Sequence, residues 1–108
     1  MKTKALPSGW FSTTKEEAKS LFNELQRELP PGHLLYGKKV CIVAHKNGAT
    51  DDVLCQHLDE VDLFTVVHLT WSMRQEINEF HPAVEMVGSF QDFLAYETEL
   101  EKIRSAGE

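Results

Sequence analysis

At 108 residues the chain has the length of one domain, and its 42% apolar and 26% charged content is that of a folding chain, not of a disordered or repetitive polymer. Seventeen acidic residues against eleven basic ones give a net charge of −6, a field that repels phosphate backbones. The one basic pair, Lys38–Lys39 with Lys46 nearby, is too small to reverse that field, so nucleic acid is not an expected partner. Two cysteines are too few for a secreted disulfide scaffold, and no apolar run approaches the ~20 residues of a membrane span. The lysine-led start, MKTKALPSGW, has no following hydrophobic region of a secretion signal. Reduced thiols, no membrane and a cytoplasmic location are the resulting expectations.

Residues 1–12 read as an N-terminal arm in which Trp10 and Phe11 pack back on the domain or meet a partner. Residues 13–104 read as a single α+β domain and 105–108 as a frayed tail. The spacing of Ala18, Leu21, Phe22, Leu25 and Leu29 predicts an amphipathic helix over about 14–29. Thr13 with Glu16 is the expected capping box, Glu24 falls on the solvent side, and Pro30–Pro31 end the helix. A turn around Pro31-Gly32-His33 leads to a first strand at Lys39–His45. Asn47-Gly48 is a turn signal, and a second strand follows at Val53–His57.

The stretch Leu63–Trp71, LFTVVHLTW, is the strongest strand. It places Phe64, Val66 and His68 on one face and Leu63, Thr65, Val67, Leu69 and Trp71 on the other. Both faces carry bulk, which predicts an interior strand partly covered on its second side. Ser72 with Gln75, and Met73, Ile77 and Phe80 on one side, predict a short helix ended by His81-Pro82. Ala83–Val87 is a short fourth strand. A final helix starts at Ser89, capped with Asp92, burying Phe90, Phe93, Leu94, Leu100 and Ile103 while Glu97 faces water. The order is α-β-β-β-(short α)-β-α: an antiparallel three- to four-stranded sheet packed by an N-terminal and a C-terminal helix.

His68 is the most interesting polar side chain because its surroundings are so apolar. Buried, it needs partners for both ring nitrogens, which a cross-strand Thr or Asp could supply; Glu76, Glu79 and Glu85 are further carboxylates that could orient it. The plain reading is a hydrogen-bonded histidine at a sheet–helix junction. The sharper one is a general acid or base in a small pocket beside Trp71. Cys41, His45 and His57 have the ligand types for zinc if the first two strands pair in the right register, but no CxxC, HxxxH or HExxH spacing supports them. Mid-strand positions are poor ones for a nucleophilic thiol. Trp71, Arg74, the loop through His81, and Trp10 form the expected recognition surface, since Trp and Arg favour interface centres. Asp51, Asp52, Asp59, Glu60 and Asp62 solvate strand ends or face a basic partner, without the spacing of a calcium loop. No phosphate loop, nucleotide fingerprint or serine elbow is present, so no cofactor is expected.

Trp10, LPPGHLLYG at Leu29–Gly37, VVHLTW at Val66–Trp71 and VEMVGSFQDFLAY at Val84–Tyr96 are similar to segments of a group of small uncharacterised bacterial proteins. The resemblance spans most of the chain and implies no activity, cofactor or site residue. The residues point to a non-catalytic protein-interaction or accessory module that meets a protein partner or a second copy of itself. The alternatives are a small enzyme or small-molecule binder using His68 beside Trp71, and a Cys/His metal-binding module.

Overall fold

The computed structural model describes residues 6–7, 9–46, 52–72 and 74–106, with side chains through Ile103. The Asn47-Gly48 turn, Asp51, Met73 and the last two residues of the chain lie outside the described residues. Among the described residues, five strands and two helices follow one another: β1 Trp10–Ser12, α1 Lys15–Glu28, β2 Val40–Lys46, β3 Asp52–His57, β4 Phe64–His68, β5 Ala83–Gly88 and α2 Phe90–Ala106. The strands form one antiparallel sheet in the order β1-β2-β3-β4-β5. Five strands replace the expected three to four because the arm itself is a strand, with Trp10 opposite Lys46 and Ser12 opposite Ala44.

Helix α1 begins one residue later than the sequence spacing suggests. Thr14, not Thr13, is the cap: its hydroxyl accepts from the Glu17 N–H at 3.1 Å, and Glu17 accepts from the Thr14 N–H at 2.8 Å. Thr13 is committed elsewhere, donating its hydroxyl to the Ile42 carbonyl at 3.1 Å and its N–H to Val43 at 3.2 Å. Two adjacent Thr–Glu pairs offer the same box, and the one free of the sheet makes it. At α2 the expected box forms, with the Ser89 N–H donating to Asp92 at 2.9 Å and the Asp92 N–H to the Ser89 hydroxyl at 3.0 Å.

The helices lie on opposite faces of the sheet. Leu25 of α1 and Leu29 at its C-cap pack with Val40, Ile42, Val53, Cys55, Val67 and Leu69, while Phe90 and Phe93 of α2 pack with Trp10, Ala44, Leu54, Phe64 and Val66. Alternate residues of β3 and β4 thus feed two separate cores, which is why Phe64–Val67 are all buried. Two bulges keep this alternation in step. Val43 is the extra residue between the Ile42–Cys55 and Ala44–Leu54 pairs, and moves the chain of β2 from the α1 core to the α2 core. Glu85 is the extra residue between Val67–Val84 and Val66–Met86; it leaves Met86 over Val66, packed against the α2 core.

Among the described residues, 69–82 hold no helix, contrary to the Ser72–Gln75 capping signal. Ser72 instead donates to the Arg74 carbonyl at 2.9 Å, and Gln75 Nε2 to the Leu29 carbonyl at 3.1 Å. The segment ends at a cis His81–Pro82 bond. There the buried His33 binds two chain segments together. Its Nδ1 accepts from the Leu35 N–H at 3.0 Å, so Nε2 bears the ring proton and donates to the Pro82 carbonyl at 2.6 Å. His33→Ala strands a buried donor and a buried acceptor, and should lower unfolding free energy by about 2–3 kcal/mol in urea titration. Loss of under ~0.5 kcal/mol would show that water replaces the ring.

Candidate functional site

One end of the sheet collects polar side chains under α2. On the face that carries Leu54 and Val66, the next residues along β3 and β4 are Asp52 and His68, directly opposite each other in the ladder. Side chains on one face of a strand recur every second residue, so the apolar core of this face gives way at its rim to this pair. Asp52 Oδ1 lies 2.8 Å from His68 Nδ1; the histidine side chain is 41% exposed and the aspartate 16%. Glu85, released from the ladder by its bulge, brings a carboxylate oxygen to the same place: one ligand atom from each of Asp52, His68 and Glu85 lies within 4.8 Å of the others. Tyr96 of α2 closes the group. Its phenol is pushed up to about 12, first by burial and then by the negative charges of Glu85, Asp52 and Glu97. Glu97, buried despite its expected exposure, pairs with Lys46 at 3.5 Å.

The second feature is the segment after β4. Glu28, at the end of α1 and fully buried, accepts from the Thr70 N–H at 2.9 Å and the Trp71 N–H at 2.7 Å. Its backbone carbonyl accepts from the Glu76 N–H at 2.9 Å. Glu76 in turn accepts from the Thr70 hydroxyl at 2.7 Å. Trp71 is held at φ 57, a left-handed backbone that a bulky residue adopts at a cost of about 1–3 kcal/mol. Fastened from below in this way, the segment turns its large apolar side chains outward: Ile77 is 96% exposed and Phe80 72%. Phe80 joins Gly32, Leu34, Glu79, Ala83 and Val84 around a groove of ≈ 450 Å³ along edge strand β5. Leu34 also lines a second groove with Lys38, Lys39, Asp59, Glu60 and Val87.

Burial of Glu28 has a consequence in pH. Desolvation first, then a hydrogen bond that the protonated carboxyl shares with Glu24, raises it to about 7 against the two backbone donors that pull the other way. A folded-state value above the unfolded one means the folded chain holds the proton more tightly. This contribution to stability is complete below about pH 4.5 and is lost as pH rises to about 7. Unfolding midpoints should therefore fall across that window, and the Glu28-dependent part of the slope should vanish in Glu28→Gln. An unchanged slope in the variant would assign the fall to groups other than Glu28, and not to His57, whose burial lowers its pKa and whose contribution therefore grows as pH rises.

The expected site residues fall in different places. His68 stands on the rim with its carboxylate partner; Trp71 is 40% exposed, and Arg74 and His81 are exposed on the anchored segment. Trp10 is inside, edge-to-face with Phe93 at 5.1 Å. Cys41, His45 and His57 are not brought together: Cys41 lies opposite Gln56, His57 opposite Val40, and His45 at the far end of β2 opposite Val53. His57 reaches Thr65 Oγ1 at 2.7 Å, and burial pushes the Cys55 thiol up to about 12 and the Cys41 thiol upward. Glu28 was missed as a site residue, and no local pattern marks it. The architecture is α+β, a five-stranded antiparallel meander with one helix on each face. No family model, no curated protein and no solved structure matches the chain. Among the described residues, no helix is long and apolar enough to cross a membrane.

Proposed function

We propose that the protein is a non-catalytic binding module whose contact surface is the anchored segment 70–82 with the adjoining edge of β5. The observation that carries this reading is the contrast within one segment: a buried carboxylate holds its backbone while Ile77 and Phe80 point to solvent. Exposing two large apolar side chains beside an apolar groove costs solubility, and proteins keep such patches where something covers them. The occupant we infer is a segment of another protein with apolar side chains and basic flanks. Glu79 is the charged residue lining the groove with Phe80 and Val84, and the whole chain carries −6. A second copy would bring the same negative field against itself.

Selection from a displayed random-peptide library on the intact chain tests this. Peptides with apolar centres and Lys or Arg flanks should be enriched, lose binding to Phe80→Asp, and weaken against Glu79→Lys. Enrichment indifferent to both substitutions, or none, would refute the surface. Sedimentation showing that the free chain pairs with itself, and that Phe80→Asp dissociates the pair, would replace the foreign partner with a second copy.

A further inference from the structure

We propose that Asp52, His68 and Glu85 bind one divalent transition-metal cation of the zinc class at the rim of the sheet beneath α2. This inference is independent of the binding surface above. Each of the three residues comes from a different, adjacent strand, β3, β4 and β5, so the hydrogen-bonded ladder positions them before any ligand arrives. An imidazole with two carboxylates is a donor set that zinc and its neighbours accept, whereas calcium and magnesium prefer oxygen alone. Metal–ligand bonds of about 2.0–2.2 Å place neighbouring ligand atoms roughly 3–3.5 Å apart. His68 Nδ1 and Asp52 Oδ1, 2.8 Å apart, are near that spacing. Glu85 is exposed on a bulge, and rotation of its side chain can close the remaining gap within the 4.8 Å cluster.

The surroundings favour a cation. Among the described residues no lysine or arginine pairs with Asp52 or Glu85, and Lys46 is engaged by Glu97 at 3.5 Å. Competing thiolate sites are weak, because burial keeps both Cys41 and Cys55 protonated. The cation would take the position of the proton between His68 and Asp52, releasing that proton where His68 is charged. Open positions on the solvent side of the half-exposed imidazole would remain for water or an anionic group of a ligand.

Titration of the chelator-treated full chain with Zn2+ alone tests the proposal, by calorimetry and by the 15N shifts of the histidine rings. One equivalent should bind, with His68 the ring whose nitrogens move. His68→Ala should abolish binding, and Glu85→Gln should weaken it at least about tenfold while leaving the circular dichroism and unfolding midpoint of the metal-free chain unchanged. His45→Ala serves as the control and should bind as the parent does. Binding that survives both ligand substitutions, or no movement of the His68 ring under millimolar Zn2+, would overturn the assignment. Because Glu85 sits on an exposed bulge, its variant keeps the test readable if His68→Ala folds poorly.

Discussion

Phe93→Ala is expected to lower the unfolding free energy by about 3–5 kcal/mol, the range for emptying a fully buried aromatic site. Phe93 has no exposed surface and lies between Trp10, at 5.1 Å and 87°, and Phe90, at 5.6 Å. Its ring is thus the joint by which α2 holds the arm strand β1 to the rest of the sheet. Two effects add: the cavity itself, and the loss of aromatic pairs worth roughly 0.5–1.5 kcal/mol each. In a chain of this size each kcal/mol moves the midpoint by about 4–8 °C, so the variant should melt well over 10 °C below the parent. Trp10→Ala should resemble it. If Phe93→Ala cost less than about 1 kcal/mol, α2 would not be covering the second face of the sheet.

The second large effect is expected at Glu28. Glu28→Ala removes, from a fully buried side chain, the acceptor of two part-buried backbone N–H groups at 2.9 and 2.7 Å. Each stranded donor costs about 1–3 kcal/mol. Relief from burying a carboxyl beside Glu24 offsets part of this, so a net loss of about 2–4 kcal/mol follows. The loss should be local as well as global. With no carboxylate to hold it, Trp71 has no reason to keep its φ of 57, and the segment carrying Ile77 and Phe80 should loosen. Denaturant titration gives the magnitude, and binding of a selected peptide gives the local consequence. A variant as stable as the parent and still able to bind would separate the anchor from the surface.

Much of the architecture is legible in local patterns. Phe64 and Val66 against Val67 and Leu69 announce a strand buried on both sides, and the structure puts them in two different cores. The stripe through Leu21, Phe22, Leu25 and Leu29 marks α1, and Ser89 with Asp92 marks the start of α2. The misses have physical causes. Strand β1 is three residues long, too short for alternation to register, and its partner residues lie more than thirty positions away. The bulges at Val43 and Glu85 depend on pairing between strands, which no single strand's sequence displays. Glu24, Glu28 and Glu97 look like solvent-facing charges on amphipathic helices; only the folded chain shows that each is buried. The Ser72–Gln75 spacing suits a capping box, but Gln75 is drawn to the free carbonyl of Leu29 and the helix does not start.

At the candidate site the histidine was readable and its company only partly so. His68 stands out by its apolar neighbours, and Glu85 is one of the later carboxylates able to orient it. Asp52 is its direct partner because β3 and β4 pair in one particular register, with Asp52 opposite His68. Periodicity within a strand says which face a residue takes, whereas the partner across the ladder depends on the turn between strands.

The proposed binding surface requires that a segment without regular structure be fastened from beneath by Glu28, with its apolar tips left exposed. Amide hydrogen exchange at Thr70 and Trp71 measures this most directly. Both amides should exchange nearly as slowly as those of β4, and should lose that protection in Glu28→Ala while the strand amides keep theirs relative to the variant's own stability. Exchange of Thr70 and Trp71 at the rate of an open loop in the parent protein would contradict it.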